Sequence, residues 1–472
     1  MKNLLNKIFK IEENQTTIQT EIIAGVTTFF AMCYIIIVNP NQMTGFNPLP
    51  EIWNACFVGG IIAAVVATLL MAFVANKPFA LAAGMGLNSF FYVSFILPSI
   101  INPLSGVSPL EGYKAGLAVI LLSGALFLIL SVTGVRKYIA YNLPPCLKTA
   151  IPAGIGLFIA FIGLQNSGFV IPNQYTGVSI ADFTKGASVA VPAIIALLGF
   201  IIILAFANSK IKFLKNTAII SAILVCTGLY YLCTLIFNID VNFTSTSISQ
   251  TFKDWVEVGF LGAFDGFKSI GNGVLGSIFS VVMLVITYSL VDMFDTLGTV
   301  YGASAEAGML DENGDPIGIE QEMLCDSIGT AVGALTGTST ITTFVESSAG
   351  VAAGGRTGLA SVVTALLFLL CLFVAPIAQY VPSCATAPAL IYVGLLMSKN
   401  ICNIDFKDFR SGATGFITFL MMIVTYSISN GIMIGAITYV IITLITGKYT
   451  KKDIMVTVLA LLGILRFAFV TM

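Results

Sequence analysis

Gly337–Gly358 reads GTSTITTFVESSAGVAAGGRTG, a run of hydroxyls and glycines around one carboxylate, Glu346. On either side lie apolar segments long enough to cross a bilayer. A polar, glycine-rich interruption at membrane depth cannot face lipid, because each unpaired backbone group there costs several kcal/mol. It must be buried in protein or line a watery cavity, which makes Glu346 the leading functional charge. Two further interruptions lie upstream. VDMFDTLGT (291–299) carries Asp292 and Asp295, and AAGMGLNSFF (82–91) carries two glycines, Asn88, Phe90 and Phe91. Three broken or polar spans in one apolar chain are the pattern of a transporter site built from discontinuous helices.

The composition sets the class. The 472 residues are 57% hydrophobic and 10% charged, with a mean hydropathy of +0.96, whereas soluble domains carry about 25% charged residues. The chain reads as an all-α polytopic membrane protein in a lipid bilayer. At about 20 residues per crossing, about 14 spans use most of its length. A net charge of −1 predicts no nucleic-acid partner. The N-terminus, MKNLLNKIFKIEENQTT, is a short amphipathic segment without a small-residue cleavage site. Nine cysteines show no CxxC spacing and sit mostly in apolar runs, so they read as small buried side chains. The absence of histidine removes His-based metal sites, His general bases and Ser–His–Asp triads together. No metal or cofactor is expected, and no enzyme.

Lys and Arg set the orientation. With the N-terminus inside, an even number of spans places Lys2–Lys10, Lys77, Arg136, Lys137, Lys210–Lys215, Arg356, Lys399–Arg410 and Lys448–Lys452 in the cytoplasm. Lys114, Lys185, Lys253 and Lys268 fall outside, so the positive-inside rule supports this register. The loop 303–323 dissents, carrying Asp311, Glu312, Asp315, Glu320 and Glu322 and no cation, but acidic residues weigh little in that rule. Its DENGDP run reads as a solvated turn that does not complete a calcium loop. A last apolar run, 454–470, carries Arg466 and reads as a further span or an interfacial helix. The halves echo each other weakly: NLPPCLKTAIPAGIGLFIAFIGL (142–164) and VPSCATAPALIYVGLLMSKN (381–400) each begin a span with Pro and Cys. Seven spans per half would invert the halves and put the site where they meet.

Glu346 and Asp295 lead the candidates. Desolvation disfavours the charged form of a carboxylate, so a withdrawn carboxyl group can carry a proton from one side to the other. It also hydrogen-bonds a planar ligand, as acceptor when ionised and as donor when protonated. The competing reading is a carboxylate capping a half-helix or held by backbone N–H groups. Asp292, one turn before Asp295, is a secondary candidate. Asp326, in CDSIGTAVGAL, reads better as a helix N-cap. Asn88 offers an amide to a heterocycle edge or to a neighbouring helix. Phe90 stacks on an aromatic ligand or simply packs. Thr342, Thr343, Ser347 and Ser348 line a polar cavity or bond back to their own helix.

These stretches resemble a known family. TTFFAMCYIIIVNP (27–40), GMGLNSFF (84–91), FDTLGTVYG (294–302) and the opening stretch are similar to the signatures of AzgA-like purine permeases. These form the adenine/guanine/hypoxanthine branch of the nucleobase:cation symporter-2 family, and the similarity runs end to end. The resemblance implies 14 spans in two inverted repeats of seven. It divides them into core spans 1–4 (21–135) and 8–11 (276–381) and gate spans 5–7 (136–240) and 12–14 (382–452). Around these lie a cytoplasmic segment (1–20), an extracellular connector (241–275) and a C-terminal helix (453–472). Short extended strands precede the half-helices of spans 3 and 10. The resemblance maps substrate contacts onto Asn88, Asp295 and Glu346, with Glu346 or Asp295 as the proton site; Phe90, Thr343 and Ser347, read from residue type above, complete the candidate substrate contacts. It implies proton-coupled uptake of purine nucleobases across the plasma membrane, and a homodimer through the gate. The alternative on the same architecture is a sulfate or bicarbonate transporter. An intramembrane enzyme is disfavoured because the chain has no histidine, no GxSxG and no aspartyl-protease GxGD around Asp292 or Asp295, and a channel would want a continuous polar lining.

Overall fold

The computed structural model describes residues 2–102, 106–134, 142–239, 247–271, 274–312 and 316–469. Arg136, Lys137 and Asp315 lie outside the described residues, as do the expected boundaries at 135/136 and 240/241.

Helices dominate. In chain order they include α1 (Ile18–Met32), α2 (Ile35–Met43), α3 (Pro50–Leu70), α4 (Met85–Phe91), α5 (Pro109–Val132) and α6 (Pro145–Asn166). Next come α7 (Ala187–Ala207), α8 (Ala218–Phe237), α9 (Gly262–Gly271), α10 (Ile278–Ala307) and α11 (Ile319–Thr336). The chain then runs through α12 (Ser347–Ala352), α13 (Gly358–Leu370), α14 (Ser383–Ser398), α15 (Phe409–Val424), α16 (Ile428–Ile445) and α17 (Ile454–Phe469). Among the described residues, 10 stretches are long and apolar enough to cross a membrane, and Met85–Ile101 and Phe409–Val424 are shorter apolar helices. Exposed Ile194, Leu198 and Ile201 on α7, and Leu366, Leu369 and Phe373 on and just after α13, give the outer surface the apolar character that lipid requires. The protein is a multi-pass membrane protein.

The helices pack in two groups. In the first, α13 lies on α1 and α3, and α11 lies on α3 and α5. In the second, α14 and α15 lie on α6, α7 and α8 pack together and on α14, and α16 lies on α15 and carries α17. The α6–α14 contact shows how sequence permits it: Gly394 meets the Gly156 carbonyl and Ala160, so a side chain at 394 would collide. Both helices also carry an internal proline, Pro152 and Pro388. The main seam between the groups runs along α10 and α6, where Gly298 sits against Pro152.

The stretch 340–353 does not form one helix. It folds as strand β4 (Ile341–Thr343) and the short α12, because the Thr-rich run favours an extended backbone. β4 pairs antiparallel with β1 (Leu81–Ala83), Leu81 opposite Thr343 and Ala83 opposite Ile341. Two flanking bonds extend the ladder, Gly84 N to Thr340 O and Phe344 N to Ala80 O, each 3.0 Å. This pairing satisfies the backbone of both interruptions within protein, as their depth demands. A second pair, β2 (Val170–Asn173) with β3 (Gly177–Ile180), is an exposed hairpin.

Asp326 is not an N-cap. α11 begins at Ile319, after Gly318 in the left-handed region, and Asp326 is buried well inside the helix. The acidic loop is also shorter than its composition indicates, because α10 continues to Ala307. Glu322 from that stretch is buried and pairs with Lys77 at 3.5 Å. All nine cysteines are free and seven are buried, while Cys402 is exposed.

Candidate functional site

The quoted stretch is fastened at both ends. At its start, Gly337 adopts φ +100°, and its carbonyl accepts the Tyr113 hydroxyl at 2.6 Å. The neighbouring Thr336 carbonyl accepts the Trp255 indole at 2.8 Å. At its end, buried Glu21 of α1 accepts the Arg356 and Thr357 backbone N–H groups at 2.8 and 3.2 Å. The middle, where β4 turns into α12, is thereby fixed beside α10 and α1.

Glu346 occupies the N-cap position of α12, but its side chain does not cap the helix. Its carboxylate instead accepts the Tyr34 hydroxyl at 2.5 Å. Tyr34 is fully buried at the break between α1 and α2, and its hydroxyl also lies 3.5 Å from Met85 Sδ. A second carboxylate, Asp295 of α10, faces the same space, hydrogen-bonded to Thr342 and within electrostatic range of Glu346. Together with Thr299, Thr342, Thr343 and Met85, these two acids line a cavity of about 20 Å³, closed from the far side by Ile159, Val393 and Met397. That volume holds about one water. No cation lines it.

The other sequence candidates lie just behind this wall. Asn88 is buried within a lattice: its amide donates to Asn39 Oδ1 at 3.0 Å and Gln42 Oε1 at 3.4 Å, and its oxygen accepts the Ser339 hydroxyl. Asn39 in turn donates to Thr338 Oγ1 at 3.1 Å, so the lattice ties α2, α4 and the segment before β4 together. Phe90 packs on Tyr288, ring centroids 4.9 Å apart. Ser347 accepts the Ala80 N–H at 3.0 Å, joining α12 to β1. Asp292 accepts the Thr330 hydroxyl at 2.8 Å, and Asp326 accepts that of Thr296 at 2.5 Å. These two acids brace α10 against α11. Of the candidates, then, Glu346, Asp295, Thr342 and Thr343 meet at the cavity, and Asn88, Phe90, Ser347, Asp292 and Asp326 position the elements around it.

Tyr34, Thr299 and Met85 line or touch the site without having been picked from sequence. Tyr34 carried a usable signal: a phenol in an otherwise apolar run needs a hydrogen-bond partner once buried. Thr299 and Met85 carried none, being ordinary residues of membrane helices.

Residues 19–434 match the model of a family described as the permease family. The chain belongs to the permease family. This permease is 35% identical to the adenine permease AdeP of Escherichia coli K12, covering 99% of this chain and 97% of that one. It is likewise 35% identical to the guanine/hypoxanthine permease PbuO of Bacillus subtilis 168, over 96% and 98% of the two chains. Among solved structures, the transmembrane domain of the cyanobacterial bicarbonate transporter BicA is similar at a TM-score of 0.60. It is 15% identical and covers 86% of this chain and 95% of its own. The murine anion transporter Slc26a9 in its inward-facing state matches at 0.53, also 15% identical, over 95% and 68% of the two chains. Those likenesses establish the fold alone. The permease is a membrane transporter and not an enzyme.

Proposed function

We propose that this permease imports purine nucleobases with a proton. The observation that carries the reading is the pair of carboxylates, Glu346 and Asp295, sharing one small cavity without a cation. Such a pair accepts the N–H groups of a purine edge and offers a place for the coupled proton. The names of the adenine and guanine/hypoxanthine permeases support the substrate class. The same pair disfavours the second reading, anion transport as in the fold neighbours, because an anion site wants cations and dipoles.

In this reading the chain has 14 spans in two inverted repeats and lies in the plasma membrane with its N-terminus in the cytoplasm. The first packing group is a core carrying the site, and the second is a gate, which also forms a homodimer. A cavity sized for about one water must widen to admit a base. The core therefore slides against the gate along the α10–α6 seam, exposing the site to each side in turn. Proton and purine need only favour each other's binding, by about 1–3 kcal/mol.

The test is uptake of labelled hypoxanthine, guanine and adenine in cells lacking their own purine carriers, from acidic to neutral pH, with and without an uncoupler. Uncoupler-sensitive uptake that collapses in Glu346→Gln is the expected result. Absence of purine uptake by well-expressed protein refutes the function.

A further inference from the structure

A second, larger cavity lies along the same seam. It measures about 370 Å³, above the lower bound of about 300 Å³ for small-molecule sites. Its core wall is α10, through Phe294, Leu297 and Tyr301; its gate wall is the first turns of α6, including Lys148 and Thr149. Asn400 and Asn403, in the turn after α14, form its rim.

The two cavities follow one another on the same elements. On α10 the two linings interleave, Asp295 and Thr299 on the small cavity and Phe294, Leu297, Gly298 and Tyr301 on the large one. On α6 the lining passes from Ile159 to Pro152 and Thr149, and on the α14 side from Val393 and Met397 to Asn400. The α6 and α14 steps both lead towards the same end, the one that the Lys and Arg bias puts in the cytoplasm. A base leaving the carboxylate pair in that direction enters the large cavity next. There it meets the aromatic rings of Phe294 and Tyr301 and, at the rim, the amides of Asn400 and Asn403. Flat apolar walls with a few polar groups at one end suit a planar heterocycle with a hydrogen-bonding edge.

We propose that this cavity is a second binding station for the purine, occupied on the cytoplasmic side of the seam and independent of Glu346. The inference rests on the purine-import reading. It separates transport into two steps, transfer from the carboxylates to the station and release from the station to the cytoplasm. Gly298 and Pro152 both line the large cavity and bring its two walls together, a Cβ at 298 standing 2.9 Å from the proline ring.

The experiment places a reporter in the station. Thr149→Cys is made with Cys402→Ser, which removes the exposed native thiol, and inside-out vesicles are labelled with a maleimide. Asn403→Cys, at an exposed rim position, is the second reporter. Hypoxanthine, guanine and adenine are added in turn, in the otherwise native background and in Glu346→Gln. The expected result is saturable protection in both backgrounds, slowing labelling by about tenfold at about ten times the half-effective concentration. Protection is lost when Leu297→Trp fills the cavity. Protection that vanishes in Glu346→Gln would overturn the station, because it would then report only the movement driven from the carboxylate site. No protection in either background, with purine uptake intact, also overturns it and leaves the cavity to water or lipid. Loss of uptake and protection together would instead refute the import reading beneath it.

Discussion

Asn88 offers the sharpest test of what the buried amide does. Asn88→Asp keeps size and shape and keeps an acceptor, but removes both donors. Asn39 Oδ1 and Gln42 Oε1, now 3.0 and 3.4 Å away, would face a carboxyl group instead of an NH₂. Each buried acceptor stripped of its donor costs about 1–3 kcal/mol. Asn39 Oδ1 retains the Thr338 hydroxyl at 3.3 Å, and the Gln42 contact is already long, so both losses belong at the lower end. The sum is about 2–4 kcal/mol. For a long chain this lowers the melting temperature by about 2 °C per kcal/mol, or about 4–8 °C in all. The assay is a thermal melt of purified protein in detergent, followed by size-exclusion chromatography, beside equilibrium binding of labelled purine well below the melt. The lattice role predicts a lowered melting temperature with purine binding retained in the protein that stays folded. A variant that melts with the native protein and binds no purine would refute it and make the amide a ligand.

Tyr34→Phe keeps the ring and removes only the hydroxyl on Glu346; losing a bond to a charged group, about 1.5–3 kcal/mol, should lower purine uptake by about tenfold or more at unchanged protein level. Unchanged uptake kinetics would show that Glu346 holds its place without Tyr34. Gly337→Ala should destabilise more than Gly134→Ala in the same melt. Both sit at positive φ, but a Cβ at 337 stands 2.7 Å from Gly259 Cα while one at 134 meets nothing within 4 Å. Asp265, on α9 outside the apolar spans, is held below the usual carboxylate range by the hydrogen bond and charge of Lys114, 3.0 Å away. A lowered folded-state value means that its stabilisation is present at neutral pH and is lost as pH falls through the carboxylate range. The pair is half-exposed, so Asp265→Asn should flatten the acid side of the melting curve by less than about 1 kcal/mol, and parallel curves for the two proteins would exclude the effect.

The place of the site was legible because polarity inside a bilayer is expensive. Glu346 and Asp295 stood out as charges in apolar surroundings, and the structure brings them to one cavity. The fates of the remaining candidates were not legible, because residue type does not reveal direction. Asp292 and Asp295 are one turn apart, yet Asp292 meets Thr330 while Asp295 meets the cavity. Asn88 and Ser347 belong to the right segments but point into the scaffold. Asp326 was misread because the acidic residues before it looked like loop, whereas Glu322 is buried against Lys77 and the helix starts earlier. Tyr34 was hidden by distance, being 312 residues from its partner.

The strand pair at the heart of the protein also governs its synthesis. Leu81 finds its partner only in Thr343, 262 residues later (343 − 81). At about 5–20 residues per second, the ribosome needs about 13–50 s to supply it. Until then the first half sits in the membrane with the donors and acceptors of an unfinished sheet. A chain stopped between the halves would leave that strand edge unpaired, the kind of edge that pairs with other chains.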